Sequence, residues 1–373
     1  MQPRLLEGLR VVEFSQLIAA PLCGLSLFDL GADVVKVEPP AGDDARGFPP
    51  FLADGTSAFF HALNRGKRGV VLDLSDAAGR DTARRLVESA DVVIENLGDP
   101  ATRLGFGYEE ASSENGRLVW CSVTGLGAGQ GGRAVDPTLQ ASMGLMALTG
   151  ESGGPPLRVP VPLIDLMTGM YAAQSVLTAL WSAERSGRGA FLDCALIDSA
   201  ATLTSLTGLF ALTGAEPPRR LGAESLLVVP SAVYPTADGE HLQVVAVNDR
   251  HWRSLCTALE RTEWLDDPRM ADVDARVANR AFVNERIAEV IASDTAAAWA
   301  ERISRAGGLC QRVREVEEAW ADPLLESRGL VGQARDGTEL PLVSLARAAD
   351  PDALALGPEL GEHTDAVLRA LAT

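Results

Sequence analysis

The sequence predicts an α/β fold in which a parallel sheet is covered on both faces by helices, joined to a second, smaller α+β domain. Three observations carry this. Apolar runs of strand length alternate with helical patterns through the first third of the chain. At 373 residues the chain exceeds the roughly 250–300 beyond which single cores usually divide. The stretch "GAEPPRRLGAES" then interrupts the alternation with Pro, Gly and charge, and the texture beyond it differs.

Taken in order, "LRVVEF" reads as a buried strand, "PLCGLSLFDLGA" as a helix opened by Pro21 and closed by Gly31, and "DVVKVE" as the next strand, together a βαβ unit. "GVVLDL" is a strand, "DAAGRDTARRLVESA" an amphipathic helix capped by Asp76, and "DVVIENL" and "RLVWCSVTG" are two more strands. Their apolar runs are continuous, as in strands buried on both faces of a parallel sheet. After Asp165, apolar residues recur at helical spacing for about five turns, until Gly187 and Gly189 end the helix. "AFLDCALIDSA" is a strand running into a further helix around residues 200–212. Beyond the linker, "SAVYPTADGEHLQVVAV" reads as a hairpin turning at Asp238-Gly239, with helices in "DRHWRSLCTALE" and "RAFVNERIAEVIASDTAAAWAERISRAGG". The large domain is expected over 1–212, completed by 322–373, whose tail "PELGEHTDAVLRALAT" forms a short returning helix; the small domain is expected over 222–321.

Hydrophobic residues make up 46% and charged residues 23%, the balance of a folded, soluble protein. A net charge of -18 argues against a nucleic-acid backbone or an anionic membrane as partner, since both are approached through clustered positive charge. Lysine occurs only as Lys36 and Lys67. Cys23, Cys121, Cys194, Cys256 and Cys310 are scattered, with no C-x-x-C pair and no histidine at ligand spacing, so neither a disulfide framework nor a metal site is expected. With no long apolar segment in "MQPRLLEGLRVVEF" and only a short uncharged run in "SAATLTSLTGLFALTG", a cytoplasmic protein without a membrane span is expected.

Several stretches could hold a ligand. Glu38, ending the second strand, suits the ribose of a dinucleotide, but the first turn, "SQLIAAPLCG", lacks the G-x-G-x-x-G that lets backbone approach a pyrophosphate. No G-x-x-x-x-G-K-[ST] or G-x-S-x-G occurs either. "NRGKRGVVLDL" sets Asn64, Arg65, Lys67 and Arg68 around Gly66, which is either a solvated basic turn or an anchor for phosphates. "IENLGDPATRLGFGY" adds Asn96 and Arg103 after the following strand, where loops at carboxyl strand ends gather. Asp165, inside the apolar "VPLIDLMTG", most needs a reason, because an isolated carboxylate is costly to remove from water. It reads as the N-cap of the helix that follows, with Thr168 at the third position. The same place suits a nucleophile: an apolar setting raises its pKa, while the helix end and amide donors lower it.

Together these segments resemble the class III CoA-transferase family, also called the CaiB/BaiF family, over nearly the whole chain. The resemblance is carried by "LEGLRVVEFSQLIAAPLCGLSLFDLGADVVKVEPPAGDDAR", "NRGKRGVVLDL", "ADVVIENL", "RLGFGYEEASSENGRLVWCSVTGLG", "DPTLQASMGLMALTG", "DLMTGMYAAQSVLTALWSAERSGRG", "VYPTADGEHLQVVAV" and "LGEHTDAVLRAL" in that order. It implies a Rossmann-like large domain built from both chain ends, a smaller domain, and two chains interlocked as a homodimer. Asp165, in the family's D-x-x-T-G stretch, would attack an acyl-CoA thioester and carry CoA as an aspartyl-CoA thioester to a carboxylic acid acceptor, with no cofactor beyond the CoA substrate. CoA contacts are implied at Leu17, Ala19, Asn64, Lys67, Asn96, Leu97, Arg103 and Leu104, while Asp136 either caps a turn before Pro137 or sits near the thioester.

The chain departs from the family pattern in places. "GAGQGG" follows the "SVTGLG" strand, and Pro39 stands where a basic residue is common, so the adenine end of the site is expected to differ. No counterpart of a glycine-rich covering loop is evident in "LGAESLLVVPSAVYP". The related α-methylacyl-CoA racemases use a histidine where this chain has Val135; two-base proton transfer then lacks one partner, and CoA transfer is favoured over racemisation. Retention of Asp165 counts against a non-catalytic CoA-binding protein.

Overall fold

The computed structural model describes residues 4–333, 337, 339–341 and 355–371. Six strands, β1 (Arg10–Phe14), β2 (Asp33–Glu38), β3 (Arg68–Val71), β4 (Val92–Glu95), β5 (Val119–Thr124) and β6 (Ala190–Ala195), form one sheet in the order β3-β2-β1-β4-β5-β6. Every neighbouring pair is parallel. The order reverses between β1 and β4, so the loops leaving their carboxyl ends diverge and open a crevice. This is the Rossmann strand order, and it explains the continuous apolar runs: Val11 of β1 faces one core and Val12 the other, and both are buried.

One face is covered by the helices Ala19–Asp29 and Leu163–Ser186, which bury Ala20, Cys23, Leu27, Ile164, Ala172 and Val176 against the sheet. The opposite face is covered by the helix Ala77–Glu88, capped by Asp76 through Gly79 N–H, and by the helix Thr364–Ala370, whose Val367 is buried. Thr364 Oγ1 accepts from Val71 N–H of β3, which docks the tail helix on the sheet edge. The two helices of the first face meet at Gly169, where a Cβ would lie 2.6 Å from the Ala19 carbonyl oxygen. Glycine is required there because any side chain would push the helices apart. By length and composition alone, Leu163–Ser186 and Leu196–Thr213 are long and apolar enough to cross a membrane. Leu163–Ser186 buries residues along its length in the core instead.

The chain divides into two units: Met1–Met143, Val159–Ser205 and Pro323–Thr373 in the first, Gly144–Arg158 and Leu206–Asp322 in the second. Residues 144–158 thus group apart from the segment that precedes them. They are tied to 220–222 instead, since Arg220 donates to the Gly154 and Ala147 carbonyls and Gly222 N–H to the Gly150 carbonyl. The second unit carries the antiparallel strands β7 (Ser231–Pro235), β8 (His241–Val245) and β9 (Leu309–Arg312), with the first hairpin turning at Gly239, φ 79°. The long helical stretch read over 280–308 is two helices, Arg280–Ile291 and Ala296–Arg305, the second restarted by the Thr295 cap. Within the C-terminal part assigned to the large domain, 334–336, 338, 342–354 and 372–373 lie outside the described residues.

Candidate active site

A cavity of about 580 Å³ lies at the switch point, lined by Ser15, Gln16 and Leu17 after β1, Glu38 and Pro39 at the end of β2, Asp73, Leu74 and Ser75 after β3, Asn96 and Leu97 after β4, and Arg80, Thr102 and Arg103. Of the implied CoA contacts it gathers Leu17, Asn96, Leu97 and Arg103. Asn96 ties the two diverging loops together: its Oδ1 accepts from Gln16 N–H at 3.1 Å and its Nδ2 donates to the Gln16 carbonyl at 2.9 Å. Glu95 holds the next residue by accepting from Leu97 N–H at 2.8 Å. Arg103 is exposed and forms no ion pair with a described residue, so its guanidinium is available to an anion. A second cavity, about 610 Å³, runs along the Leu163–Ser186 helix beside Met167, Met170, Tyr171 and Trp181; it carries no charged group and offers no comparable chemistry.

Ala19, Asn64, Lys67 and Leu104 do not line the crevice. Ala19 and Leu104 belong to the apolar cores. Lys67 is only 2% exposed, and its ammonium donates to Glu13, to Asn64 Oδ1 at 3.0 Å and to the Pro21 carbonyl at 2.9 Å. The basic turn is consumed in the same way throughout: Arg65 forks onto Asp29 and Arg68 pairs with Asp33. The expectation of a phosphate anchor in this turn is therefore corrected, because acids distant in sequence have already neutralised each cation. Burial pushes the Lys67 ammonium down to about 8, with Glu13 opposing that shift.

Asp165 is the third residue of its helix, not the N-cap, a position held by Pro162. The expected capping is instead performed by Asp136, whose Oδ2 accepts from Ile164 N–H at 2.7 Å and from Asp165 N–H at 3.4 Å. Asp136 is fixed in turn by Gln140, whose Nε2 donates to its Oδ1 at 2.7 Å and which bonds both backbone groups of Val159. The amide donors expected to lower the pKa of Asp165 are thus already occupied, and none among the described residues reaches its carboxylate. Burial, followed by the like charge of Asp136, raises it to about 7. Thr168 back-bonds to the Ile164 carbonyl and shares a hydrogen bond with Ser199, while Leu166 packs against the cluster of Leu22, Leu25 and Leu63, as does Ile18. The nucleophile candidate is thereby held near the turn that follows β1.

A half-buried carboxylate without donors is a reactive base that loses its charge as pH falls through about 7. The acid limb of kcat/KM should therefore titrate near 7, with activity rising above it. Asp136→Asn removes the smaller cause and leaves burial, so that limb should move down by up to about one unit. The new amide would face the Gln140 amide, which adds about 1–2 kcal/mol of destabilisation. A pH–rate profile unchanged in Asp136→Asn would refute the electrostatic coupling.

Asp73, Leu74, Ser75, Arg80 and Thr102 were not singled out by the sequence. Their signal was positional: they follow β3 or open helices next to strand ends, the places a doubly wound sheet gives to ligands. Val135 is exposed and precedes the helix Asp136–Ser142, offering only its backbone to that turn.

Comparison with known proteins identifies the family over nearly the whole chain. The model of CoA-transferase family III matches residues 6–364. A succinate–glutarate CoA-transferase of Agrobacterium fabrum is 37% identical over 99% of this chain and 96% of its own length. An acetyl-CoA:oxalate CoA-transferase of Acetobacter aceti is 32% identical over 98% of this chain and 95% of its own. Among solved structures, a CaiB/BaiF family protein from Brucella suis superimposes with a TM-score of 0.86 at 32% identity, covering 99% of this chain and all of the other.

Proposed function

The chain belongs to CoA-transferase family III and is a CoA-transferase of that class, and from this premise we propose that Asp165 is the nucleophile that carries CoA between two carboxylic acids. The observation that supports the assignment is the freedom of its carboxylate, half-buried at a helix start whose donors Asp136 has already taken. An Asp165 oxygen attacks the thioester carbonyl, the C–S bond breaks, and CoA thiolate leaves a mixed anhydride. The thiolate then attacks the Asp165 carbonyl carbon, giving the aspartyl-CoA thioester and releasing the donor acid. An acceptor carboxylate attacks that thioester, and the returning thiolate takes its acyl group from the second anhydride and frees Asp165. No proton, electron or water is consumed, so thioester energy is conserved without a further cofactor. Exclusion of water matters because both anhydrides hydrolyse readily.

We place the nucleotide end of CoA in the switch-point crevice, with Arg103 toward its phosphates and Asn96, Leu97 and Leu17 beside it. Leu166 and Ile18 pack against one apolar cluster, and Gly169, one turn beyond Asp165, lies against the Ala19 carbonyl; both support a thioester arm running from that crevice to Asp165. Both named relatives act by name on dicarboxylic acids, which supports a short dicarboxylate as acceptor here. Five free thiols fit a reducing cytoplasm, and exposed Met170, Tyr171 and Trp181 on the Leu163–Ser186 helix fit cover by a second copy of the chain. Racemisation is disfavoured because Val135 has no proton to exchange.

The test is the intact mass of the protein after incubation with succinyl-CoA, glutaryl-CoA and acetyl-CoA. A CoA-sized increment removed by hydroxylamine is expected with at least one of them. Turnover between acyl-CoA and acceptor without any such increment would overturn the covalent route, and exchange of the α-proton of a 2-methylacyl-CoA without transfer would favour racemisation.

A further inference from the structure

Leu17 is one of two described non-glycine residues in the left-handed backbone region, with φ 69°. That conformation is unfavourable for a leucine and persists only where the surroundings enforce it. Here it faces the crevice. What enforces it lies beneath the sheet edge. Asp43 is 2% exposed, and its Oδ1 accepts from Leu17 N–H at 3.1 Å and from Ala45 N–H at 2.9 Å. Its Oδ2 lies 2.9 Å from the ammonium of Lys36, which is fully buried. Lys36 in turn donates to the Ser15 carbonyl at 2.8 Å and pairs with Glu13, which also binds Ser15 Oγ and Lys67.

Three consecutive crevice residues are therefore each held by a side chain: Ser15 by the buried Lys36, Gln16 by Asn96 across the crevice, and Leu17 by the buried Asp43. Asp43 reaches a fourth crevice residue as well, since its own N–H donates to Glu38 Oε2 at 2.9 Å. Compact ammonium groups suit this closed space, and the two lysines of the chain are both spent in it. Gly24 makes room for it, because a Cβ there would lie 1.8 Å from Glu13 Oε2.

We propose that Asp43, braced by Lys36, is a positioning residue for CoA: it holds Leu17 in its strained left-handed conformation and so pre-forms the crevice wall that the ligand meets. The inference rests on the placement of CoA in this crevice. Without Asp43, Leu17 relaxes toward an ordinary φ, and binding must first restore the strained form, which weakens affinity without touching the bond-making steps.

The test is the calorimetric Kd of CoA for the full chain. Asp43→Ala is expected to raise Kd by about tenfold. Adding Leu17→Gly, which adopts positive φ without strain, should remove most of the effect, so that Asp43→Ala costs less than about threefold in that background. Asp43→Asn, which keeps the acceptor for Leu17 N–H, should cost less than Asp43→Ala and serves as the comparison if the alanine variant does not fold. In turnover, the loss should appear in KM and leave kcat nearly unchanged. Equal losses with and without Leu17→Gly, or no loss at all, would overturn the proposal, since a generally loosened fold gains nothing from a glycine at one turn. Arg103→Ala separates the two levels. If it weakens CoA binding while the Asp43 variants do not, only the positioning role fails; if it too leaves Kd unchanged, the crevice placement and the positioning role fail together.

Discussion

Asp165→Ala is expected to lower kcat by about four orders of magnitude or more and to abolish the CoA adduct, because the carboxylate forms the covalent bonds of every step. The loss should appear with little change in CoA affinity, as Asp165 does not line the crevice. A variant retaining more than about one percent of wild-type turnover would exclude Asp165 as the nucleophile. The same site makes a stability prediction of opposite direction. Burial raises the pKa of Asp165 from an ordinary carboxylate value to about 7, so the folded state binds the proton more tightly than the unfolded chain. Its contribution is favourable below the unfolded pKa and is lost as pH climbs through about 7. Three pKa units correspond to about 4 kcal/mol, which partial solvent exposure reduces to about 1–2. Asp165→Asn should therefore be more stable than wild type by about that amount at pH 8.5 and indistinguishable at pH 4, measured by urea unfolding. A nucleophile held against its solvation preference is a cost the fold carries for reactivity.

Glu13→Gln should destabilise the fold by about 3–5 kcal/mol. Glu13 is fully buried and faces Lys36 at 3.4 Å and Lys67 at 2.9 Å, so neutralising it strips both amino groups of the carboxylate they share in a closed space, with Asp43 as the acid directly paired to Lys36. The amide nitrogen of the substituted side chain would also point toward a donor. Burial and the acids around Lys36 pull in opposite directions, and Glu13, Asp43 and Glu38 together leave that ammonium above its usual pKa despite desolvation. Because the cluster is internal, its loss should lower the urea midpoint nearly equally at low and high salt, whereas a surface pair would be screened. A midpoint shift worth less than about 1 kcal/mol would mean that the cluster is dispensable to the fold.

Sequence alone determined the elements whose signals are local. β2 occupies the read segment Asp33–Glu38, the 77–88 helix starts at its Asp76 cap, and the second-unit hairpin turns at Gly239, because run length, caps and turn residues act within a few positions of themselves. The order of motifs along the whole chain likewise carried the family. Tertiary structure alone decided what the polar residues do. Asp165 reads as a cap until Asp136, 29 positions away, takes its amides. Lys67 reads as an exposed anchor until Glu13, 54 positions away, claims its charge. Asp73–Ser75 joined the crevice only through the strand order. The physical reason is common to all three: whether a charge is free or spent depends on its desolvation and on the partners within a few ångströms, and those are set by which distant segments the sheet brings together.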